Sequence, residues 1–227
     1  MPRPTPVLSD FSPVLGSPST TPNDNFPIGN GEMLANVWVN ASDGSLSMLL
    51  GRSDAWSSLA MPLKVGRLKL MLDPSPFLSP VAAFSQTLHL DNGTLHINAR
   101  RGNLSVQARL WVDSLAGVAD ETAAAAVLHL ELNASLPVSP TVSLDLWRGG
   151  PGLHNVTRDY TGSCYSTCTE WQLIDGDTRI PASSLRKPEV AAWYVRNSRS
   201  LYKSTLRDHM LGRLANSTTD PLLNRTS

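Results

Sequence analysis

The sequence predicts an all-β protein, built as an antiparallel β-sandwich with a helix near its C-terminus. Two observations predict this fold. Hydrophobic and polar residues alternate with a period of two along several short segments, as they do in strands that are buried on one face. Turn-forming residues, such as Asp91-Asn92-Gly93 and Arg101-Gly102-Asn103, separate these segments at a spacing typical of sandwiches. With 227 residues, of which 41% are hydrophobic, the chain can fill one large core.

The first 25 residues are predicted to be a disordered or extended lead-in. Six Pro residues lie among Ser and Thr in this stretch, and such a composition buries little apolar surface. The β-sandwich domain is therefore predicted to begin at Phe26 and to cover residues 26–197.

The first clear strands follow this lead-in. On one of them, Leu46, Met48 and Leu50 share a face. On the next, three hydrophobic residues point away from three charged ones, with Leu68, Leu70 and Leu72 opposite Arg67, Lys69 and Asp73. The hydrophobic faces are predicted to line the core.

Three further segments, between residues 84 and 112, are predicted to form an antiparallel meander. If Asp91-Asn92-Gly93-Thr94 is the first turn, two inward couples form, Leu90 with Leu95 and Leu88 with Ile97. Alternate residues of the third strand are predicted to face the core or the solvent: Leu104, Val106, Ala108, Leu110 and Val112 inward, and Ser105, Gln107, Arg109 and Trp111 outward.

The remaining sequence predicts fewer regular elements. Alternation at residues 128–132 and 142–146 brings the total to about eight short strands. Residues 149–185 predict a long loop, and order returns in a strand at residues 190–195. Residues 200–214 have hydrophobic residues close to one helical face. We therefore expect residues 198–227 to hold a linker helix and the truncated start of another domain.

The charge balance excludes several classes of partner. Nineteen basic and nineteen acidic residues cancel, so the chain lacks the net positive charge that nucleic-acid binding uses. The longest hydrophobic runs are far shorter than the roughly 20 residues that cross a bilayer. We expect no nucleic-acid partner, no membrane partner and no cofactor.

The chain is rich in acceptor triplets for N-glycosylation. Seven Asn-X-Ser/Thr triplets use seven of the 13 Asn residues, whereas random placement of the 43 Ser and Thr residues would give about two or three. They begin at Asn40, Asn92, Asn103, Asn133, Asn155, Asn216 and Asn224, and the first five are the candidate glycosylation sites. The first three fall in predicted turns, where a glycan costs no packing.

This excess predicts an extracellular protein or one of the secretory pathway. The first 21 residues, however, lack the apolar segment of a signal peptide. Either the natural start lies outside this sequence or the triplets are unused, and the first interpretation is favoured.

Cys164 and Cys168 are the only two cysteines. Two cysteines four residues apart can close a small disulfide loop in an oxidising compartment, or they can remain free thiols. No second cysteine pair and no His-X3-His spacing accompanies them, so no structural zinc site is expected.

Seven ordered blocks of the sequence resemble a known family. In chain order they are PIGNGEMLANVWV, GRSDAWSSLAMPLKVGRLKLML, FSQTLHLDNGTLHI, LWVDS, LDLWRGG, WYVRNSRSLY and DPLLNRT. Their order and spacing resemble the N-terminal domain of unknown-function family 5703, over most of residues 26–226. Two positions depart from the family pattern, since Arg52 stands where Lys or Thr is more frequent and Val195 where a His is expected.

That family heads proteins of the six-hairpin glycosidase superfamily and is similar in role to the N-terminal β domain of family 95 glycoside hydrolases. The resemblance therefore implies a super-β-sandwich, a linker and then an (α/α)6 barrel with the catalytic carboxylates. Since DPLLNRT leads toward the barrel and one residue follows it here, the barrel is expected to be missing. The implied parent is a glycoside-hydrolase-like protein of carbohydrate metabolism. This chain is expected to be a fragment that is inactive alone, with the missing C-terminal catalytic domain and carbohydrate as its partners.

Four residues are candidates for a cleft or a domain interface: Asn30, Asp54, Trp56 and Lys64. Asp54 is predicted to lie on a loop just after a strand, and a carboxylate beside an aromatic ring can cradle a sugar. Alternatively, Asp54 caps a turn and Trp56 packs on the edge of the sandwich. Glycoside hydrolysis needs two carboxyl groups about 5 to 9 Å apart, and no pair stands out, so no catalytic residue is assigned.

Three other motifs are assigned no ligand. Gly29-Asn30-Gly31 predicts a tight turn and not a phosphate loop, because no Lys-Ser/Thr follows. Asp175-Gly176-Asp177 predicts a turn, because the later Glu of a calcium loop is missing. His89 and His96 are predicted to lie opposite each other on the outward face, but a third metal ligand is not evident, so no metal is expected.

A second function from a different class stays open. A free-standing secreted carbohydrate-binding or adhesion module would need a platform of exposed aromatic side chains. Trp38, Trp111 and Trp147 are predicted to face outward and could supply one, or they could be covered by the partner domain.

Overall fold

The computed structural model describes residues 6–56, 62–113, 126–146, 148, 152–155, 171–185, 190–198, 200, 202–208, 210–221 and 223–225. Contacts group the chain into two compact units. Unit 1 comprises Met1–Arg52 and Val65–Asp145, and unit 2 comprises Ser53–Lys64 and Leu146–Ser227. The sheets are antiparallel, and the prediction of an all-β sandwich is confirmed.

Ten strands form two five-stranded sheets. They are β1 (Val14–Leu15), β2 (Phe26–Gly29), β3 (Met33–Asn40), β4 (Ser45–Trp56), β5 (Pro62–Asp73), β6 (Ala83–His89), β7 (Thr94–Arg101), β8 (Leu104–Val112), β9 (Leu128–Ala134) and β10 (Ser139–Asp145). Sheet A has the order β1-β6-β7-β8-β9, and sheet B has the order β10-β5-β4-β3-β2. The outer ends of β4 and β5, residues 53–56 and 62–64, are counted in unit 2.

Within its described residues, unit 2 adds two pairs of antiparallel strands and two short helices. They are β11 (Gly152–Asn155) with β12 (Trp171–Ile174), β13 (Asp177–Ile180) with β14 (Ala192–Val195), and helices α1 (Tyr202–Asp208) and α2 (Gly212–Ser217). Among the described residues, no helix is long and apolar enough to span a membrane.

The core of unit 1 combines the inward residues of sheets A and B. The predicted hydrophobic faces are confirmed, because Leu46, Met48 and Leu50 of β4 belong to the same buried cluster as Leu95 and Leu110 of sheet A. Alternation with a period of two is the reason, since it brings every second side chain of a strand to the buried face. Burial of these side chains is the main stabilising term of unit 1.

The largest buried polar side chain of unit 1 is that of Gln86. Gln86 of β6 is 1% exposed, and its Nε2 atom donates a hydrogen bond of 3.1 Å to the carbonyl of Val37 in β3. The bond gives the buried amide nitrogen a partner, and without one its burial would cost free energy. The bond therefore joins sheet A to sheet B inside the core.

Part of the predicted lead-in is built into the sandwich. Val14 pairs with Thr87, so β1 is the edge strand of sheet A. Ser19 forms an isolated bridge with Asn40, and its amide donates to the carbonyl of Val39 at 2.8 Å. The sequence pattern missed these contacts because two-residue pairings leave no detectable alternation.

Two hairpins of unit 1 share one loop geometry. Residues 41–44 join β3 to β4 and residues 90–93 join β6 to β7, and each loop ends in a glycine of positive φ, 65° at Gly44 and 66° at Gly93. In each loop the glycine amide donates a 2.9 or 2.8 Å bond to the carbonyl four residues earlier. The side chain of the residue before the glycine, Asp43 or Asn92, accepts a hydrogen bond through Oδ1. The donor is the backbone amide of the residue after the glycine, Ser45 or Thr94.

This loop changes the predicted register of the β6–β7 hairpin. Leu88 pairs with Leu95, and Leu90 lies in the turn, 37% exposed, so the predicted couples are wrong by two residues. The reason is that the loop holds four residues and closes between His89 and Thr94. A shift of two keeps every side chain on its predicted face.

The two loop glycines make a matched pair for a stability test. Gly93→Ala is expected to cost about 1–2 kcal/mol, the penalty for a side chain in the left-handed region. Gly44→Ala is expected to cost a further 1–3 kcal/mol or so, because the new Cβ would lie 2.7 Å from a Leu78 carbon and 2.8 Å from Ser75 Oγ, whereas nothing lies within 4 Å at Gly93. Urea denaturation of both variants measures the difference, and equal losses would contradict it.

The helix predicted over residues 200–214 is two helices, so that prediction is wrong in its extent. Helix α1 ends in a Schellman arrangement, in which the Leu211 amide bonds to the Leu206 carbonyl at 2.8 Å and the Met210 amide bonds to the Arg207 carbonyl at 2.9 Å. Met210 has the left-handed conformation that this ending requires, with φ of 59°. Hydrophobic spacing continues across the break and therefore did not predict it.

Candidate functional site

Three of the four candidate residues lie on the outer ends of β4 and β5. Asp54 and Trp56 are part of β4, and Lys64 is part of β5, all within unit 2. The predicted loop at Asp54 is wrong, because β4 continues to Trp56. The side chains of Asp54 and Lys64 are exposed, and that of Trp56 lies outside the described residues. Two residues of opposite charge, Asp54 and Lys64, therefore lie at exposed positions of these two strands.

A buried ion pair ties this hairpin to the rest of unit 2. The Arg148 guanidinium lies 2.5 Å from the Asp177 carboxylate, with the two side chains 10% and 2% exposed. The same guanidinium donates through Nη1 to the carbonyl of Lys64 at 3.1 Å. Backbone bonds reinforce the contact, since the Asp177 amide donates to the Arg148 carbonyl at 2.6 Å. Arg148 thus holds the end of β5 beside the start of β13.

The two carboxylates of Asp175-Gly176-Asp177 point to different protein donors. Asp175 accepts from the Ser198 amide at 2.7 Å and the Ser198 hydroxyl at 2.8 Å. Asp177 accepts from Arg148, as described above. Both carboxylates hold the loop between β12 and β13 in place, which fits the interpretation of this motif as a structural turn.

The fourth candidate, Asn30, lies in unit 1 at the turn between β2 and β3. Its Oδ1 atom accepts from the amides of Glu32 and Met33, at 3.0 and 2.9 Å, and Gly31 has φ of 92°. The prediction of a tight turn is confirmed. Nδ2 of Asn30 donates to the carbonyl of Asp113, which follows β8, at 2.8 Å. Asn30 therefore links the two sheets at this end of unit 1.

The outward face of sheet A carries two adjacent histidines. His96 pairs with Thr87 and His89 pairs with Thr94, so the prediction that the two histidines are direct partners is wrong, for the register reason given above. Their rings are nevertheless in contact across the diagonal, with centroids 4.4 Å apart. Among the described residues, no group of three metal-ligating side chains accompanies them.

His96 is expected to make the stability of unit 1 depend on pH. Burial lowers the pKa of its imidazole below the ordinary value of 6.5, and the nearby charges of His89 and Arg109 lower it further. The unfolded chain therefore binds this proton more readily than the folded chain, and the free energy of unfolding should fall as the pH drops from 6.5 toward the folded pKa.

Urea denaturation at pH 7.5 and at acidic pH measures this dependence. His96→Gln should reduce the loss between the two conditions, because Gln does not bind a proton in this range. A loss of the same size in the variant and the parent would contradict the assignment.

Two of the three Trp residues that an aromatic platform would need lie within the described residues. Trp38 is 3% exposed, so the prediction that it faces the solvent is wrong, and Trp147 lies outside the described residues. Trp111 does lie on the outward face of sheet A, where His129 stacks on its ring at 4.8 Å and the Arg109 guanidinium lies 4.7 Å from its centroid. His129 in turn lies 2.7 Å from Asp113. Protein groups therefore already contact the Trp111 ring.

The sequence did not predict the ion pair between Arg148 and Asp177. Arg148 stands in the block LDLWRGG, and Asp177 follows an Asp-Gly turn, 29 residues later. The one signal in the sequence was that Arg148 is a charged residue within a block that resembles the family, and this did not indicate Asp177 as its partner.

Cys164, Cys168 and the side chain of Asn155 lie outside the described residues, so the predicted disulfide and the predicted glycosylation at Asn155 stay predictions.

Comparison with known proteins agrees with the sequence blocks. A family model described as a domain of unknown function, DUF5703, matches residues 14–227 in its N-terminal form. No curated protein matches the chain. Because the match covers nearly the whole chain, including both sheets and the hairpin held by Arg148, the chain belongs to the DUF5703 N-terminal domain family.

Proposed function

We propose that this chain is the non-catalytic N-terminal β-sandwich part of a glycoside-hydrolase-like protein. In this proposal it packs against an (α/α)6 catalytic barrel and shapes the rim of its sugar cleft, and residues 198–227 lead toward that barrel. The resemblance of seven ordered blocks to the N-terminal part of six-hairpin glycosidase-like proteins supports the proposal.

The observation that carries the proposal is the anchoring of the β4–β5 hairpin. Arg148 and its buried partner Asp177 hold the chain at Lys64, while the Asp54 and Lys64 side chains stay exposed. A group that contacts a substrate must be held by rigid surroundings, or ordering it costs free energy on binding. The end of β5 at Lys64 is held in this way, which suits a rim that positions a sugar.

Among the described residues, two Trp side chains favour this role over a free-standing carbohydrate-binding or adhesion module. Such a module stacks sugars on open ring faces, whereas Trp38 is buried and Trp111 is contacted by His129 and Arg109.

We also propose a secretory or extracellular location, which the excess of Asn-X-Ser/Thr triplets supports.

The first experiment assays the purified chain against a panel of aryl glycosides and plant or microbial oligosaccharides. The expected result is no hydrolysis, because the catalytic carboxylates are proposed to lie in the barrel. Hydrolysis by the chain alone would overturn the proposal. Tight binding to a glycan array by the chain alone would favour the free-standing module instead.

The second experiment substitutes the hairpin in the longest protein that the same reading frame encodes. Asp54→Asn and Lys64→Met are expected to raise KM about tenfold each, the effect of losing about 1.4 kcal/mol of binding. Asp91→Asn and Lys203→Met are matched controls, since both are exposed charges outside the hairpin, and they should leave KM unchanged. Unchanged KM in the hairpin variants would overturn the proposed rim.

A further inference from the structure

Three of the acceptor triplets lie at one end of unit 1. Asn40 is the last residue of β3, before the loop whose Gly44 carbonyl accepts from the Ser75 hydroxyl at 3.3 Å. The Ser75 carbonyl in turn accepts from Arg101 at 3.3 Å, and Arg101 ends β7, directly before the turn that holds Asn103. The β3–β4 loop and the β7–β8 turn therefore share one end of the sandwich.

The third triplet reaches the same end through its hydroxyl residue. Ser135, which completes the triplet of Asn133, donates through Oγ to the carbonyl of Asn103 at 3.2 Å. The same oxygen accepts from the amide of Ser105, which completes the triplet of Asn103, at 2.9 Å. Two acceptor triplets are thus joined by hydrogen bonds. Asn92, in the β6–β7 loop, lies away from this group.

Attachment of a glycan requires a side-chain amide nitrogen that the fold does not use. Three Asn residues outside the triplets do use it, since Asn25, Asn30 and Asn98 donate through Nδ2, at 2.6, 2.8 and 3.3 Å. In the part of the chain that the structure describes, Nδ2 of Asn40, Asn92, Asn103 and Asn133 makes no hydrogen bond to the protein, and the last three residues are exposed. The nitrogen that a glycan would occupy is therefore available in all four.

We propose that Asn40, Asn92, Asn103 and Asn133 carry N-linked oligosaccharides, and that three of these glycans share the end of unit 1 around Ser135. This proposal rests on the secretory location proposed above and is independent of the glycosidase role. In the attachment, Nδ2 forms a bond to C1 of the first sugar of an oligosaccharide carried on a lipid diphosphate. The C1–O bond breaks, the diphosphate leaves with the electron pair, and Nδ2 loses one proton. An end that carries three glycans must face the solvent.

The test expresses the full chain behind a secretion signal in eukaryotic cells, with one acceptor triplet appended at its C-terminus as a positive control. Peptide mass mapping after treatment with peptide:N-glycosidase, in water labelled with heavy oxygen, identifies each glycosylated Asn by its conversion to labelled Asp. The expected result is labelling at Asn40, Asn92, Asn103 and Asn133. If the appended triplet is labelled and these four are not, the proposal is overturned. If Asn92 were the only labelled residue of these four, the proposal that three glycans share one end of unit 1 would be overturned.

Variants at one triplet separate glycosylation from the hydrogen bonds of Ser135. Asn133→Gln keeps the Ser135 hydroxyl and should remove one glycan from the intact mass. Ser135→Thr keeps both the acceptor and a hydroxyl, so it should leave the mass of the attached glycans unchanged. A mass loss with Ser135→Thr equal to that with Asn133→Gln, or none with Asn133→Gln, would overturn the assignment of this site.

Discussion

Replacement of Arg148 by Met is expected to destabilise unit 2 by about 3–5 kcal/mol, the cost of leaving a buried charge without its partner. The Asp177 side chain is 2% exposed, so its carboxylate could not regain the water that it gave up on folding. The variant also loses the hydrogen bond from Arg148 to the Lys64 carbonyl, which holds the end of β5. We expect the β4–β5 hairpin to lose its fixed position as well.

Hydrogen exchange of backbone amides can locate this effect. Protection should fall in β13 and β14, and it should stay unchanged in β7 and β8 of unit 1. Arg67→Met is the matched control, because the Arg67–Asp145 pair has side chains 32% and 41% exposed and should contribute about 1 kcal/mol or less. A double variant, Arg148→Met with Asp177→Leu, should recover part of the loss, since no buried charge remains unpaired. Equal effects of Arg148→Met and Arg67→Met would contradict this account.

Phe77→Ala is expected to destabilise unit 1 by about 3–5 kcal/mol, as is usual for a truncated aromatic residue in a core. Phe77 lies in the connection between β5 and β6, yet it is 1% exposed and belongs to the buried cluster of both sheets. Removing its ring leaves a cavity that the surrounding strands cannot fill by small shifts, because both sheets are held by their hydrogen bonds.

Thermal or urea denaturation measures this loss, with a matched control from the same chain. Phe11→Ala removes the same ring from a residue that is 64% exposed, and it should change stability by about 0.5 kcal/mol or less. Phe77→Leu should lie between the two, because most of the buried volume is kept. A Phe77→Ala variant as stable as Phe11→Ala would show that the ring is not a core element.

Strand faces were predictable because they depend only on neighbours in the sequence. Inward positions such as Leu46 and Leu110 follow from a period of two, and they are fully buried in the structure. Hairpin register was less predictable, because a four-residue loop and a two-residue loop place the same residues on the same faces. Leu90 therefore moved from a predicted core position to the turn, while Leu88 and Leu95 kept their predicted sides.

The candidate site was predictable in part. The block that contains Asp54, Trp56 and Lys64 was identified from the sequence, and the structure places these residues on one hairpin. The anchor of that hairpin could not be predicted, because an ion pair between Arg148 and Asp177 depends on the packing of segments far apart in the chain. Short connections such as the one holding Phe77 have no periodicity that reveals burial.

The amino-acid sequence alone was enough to predict the class of fold, the faces of the long strands, the turn at Asn30 and the membership of the DUF5703 family. These properties are local, since side-chain alternation and turn chemistry act between residues a few positions apart. The three-dimensional fold was needed to find the partner of Arg148, the burial of Trp38 and the place of three acceptor triplets at one end of unit 1. Those properties depend on which distant segments meet, and the free energy of such contacts has no signature in a single sequence.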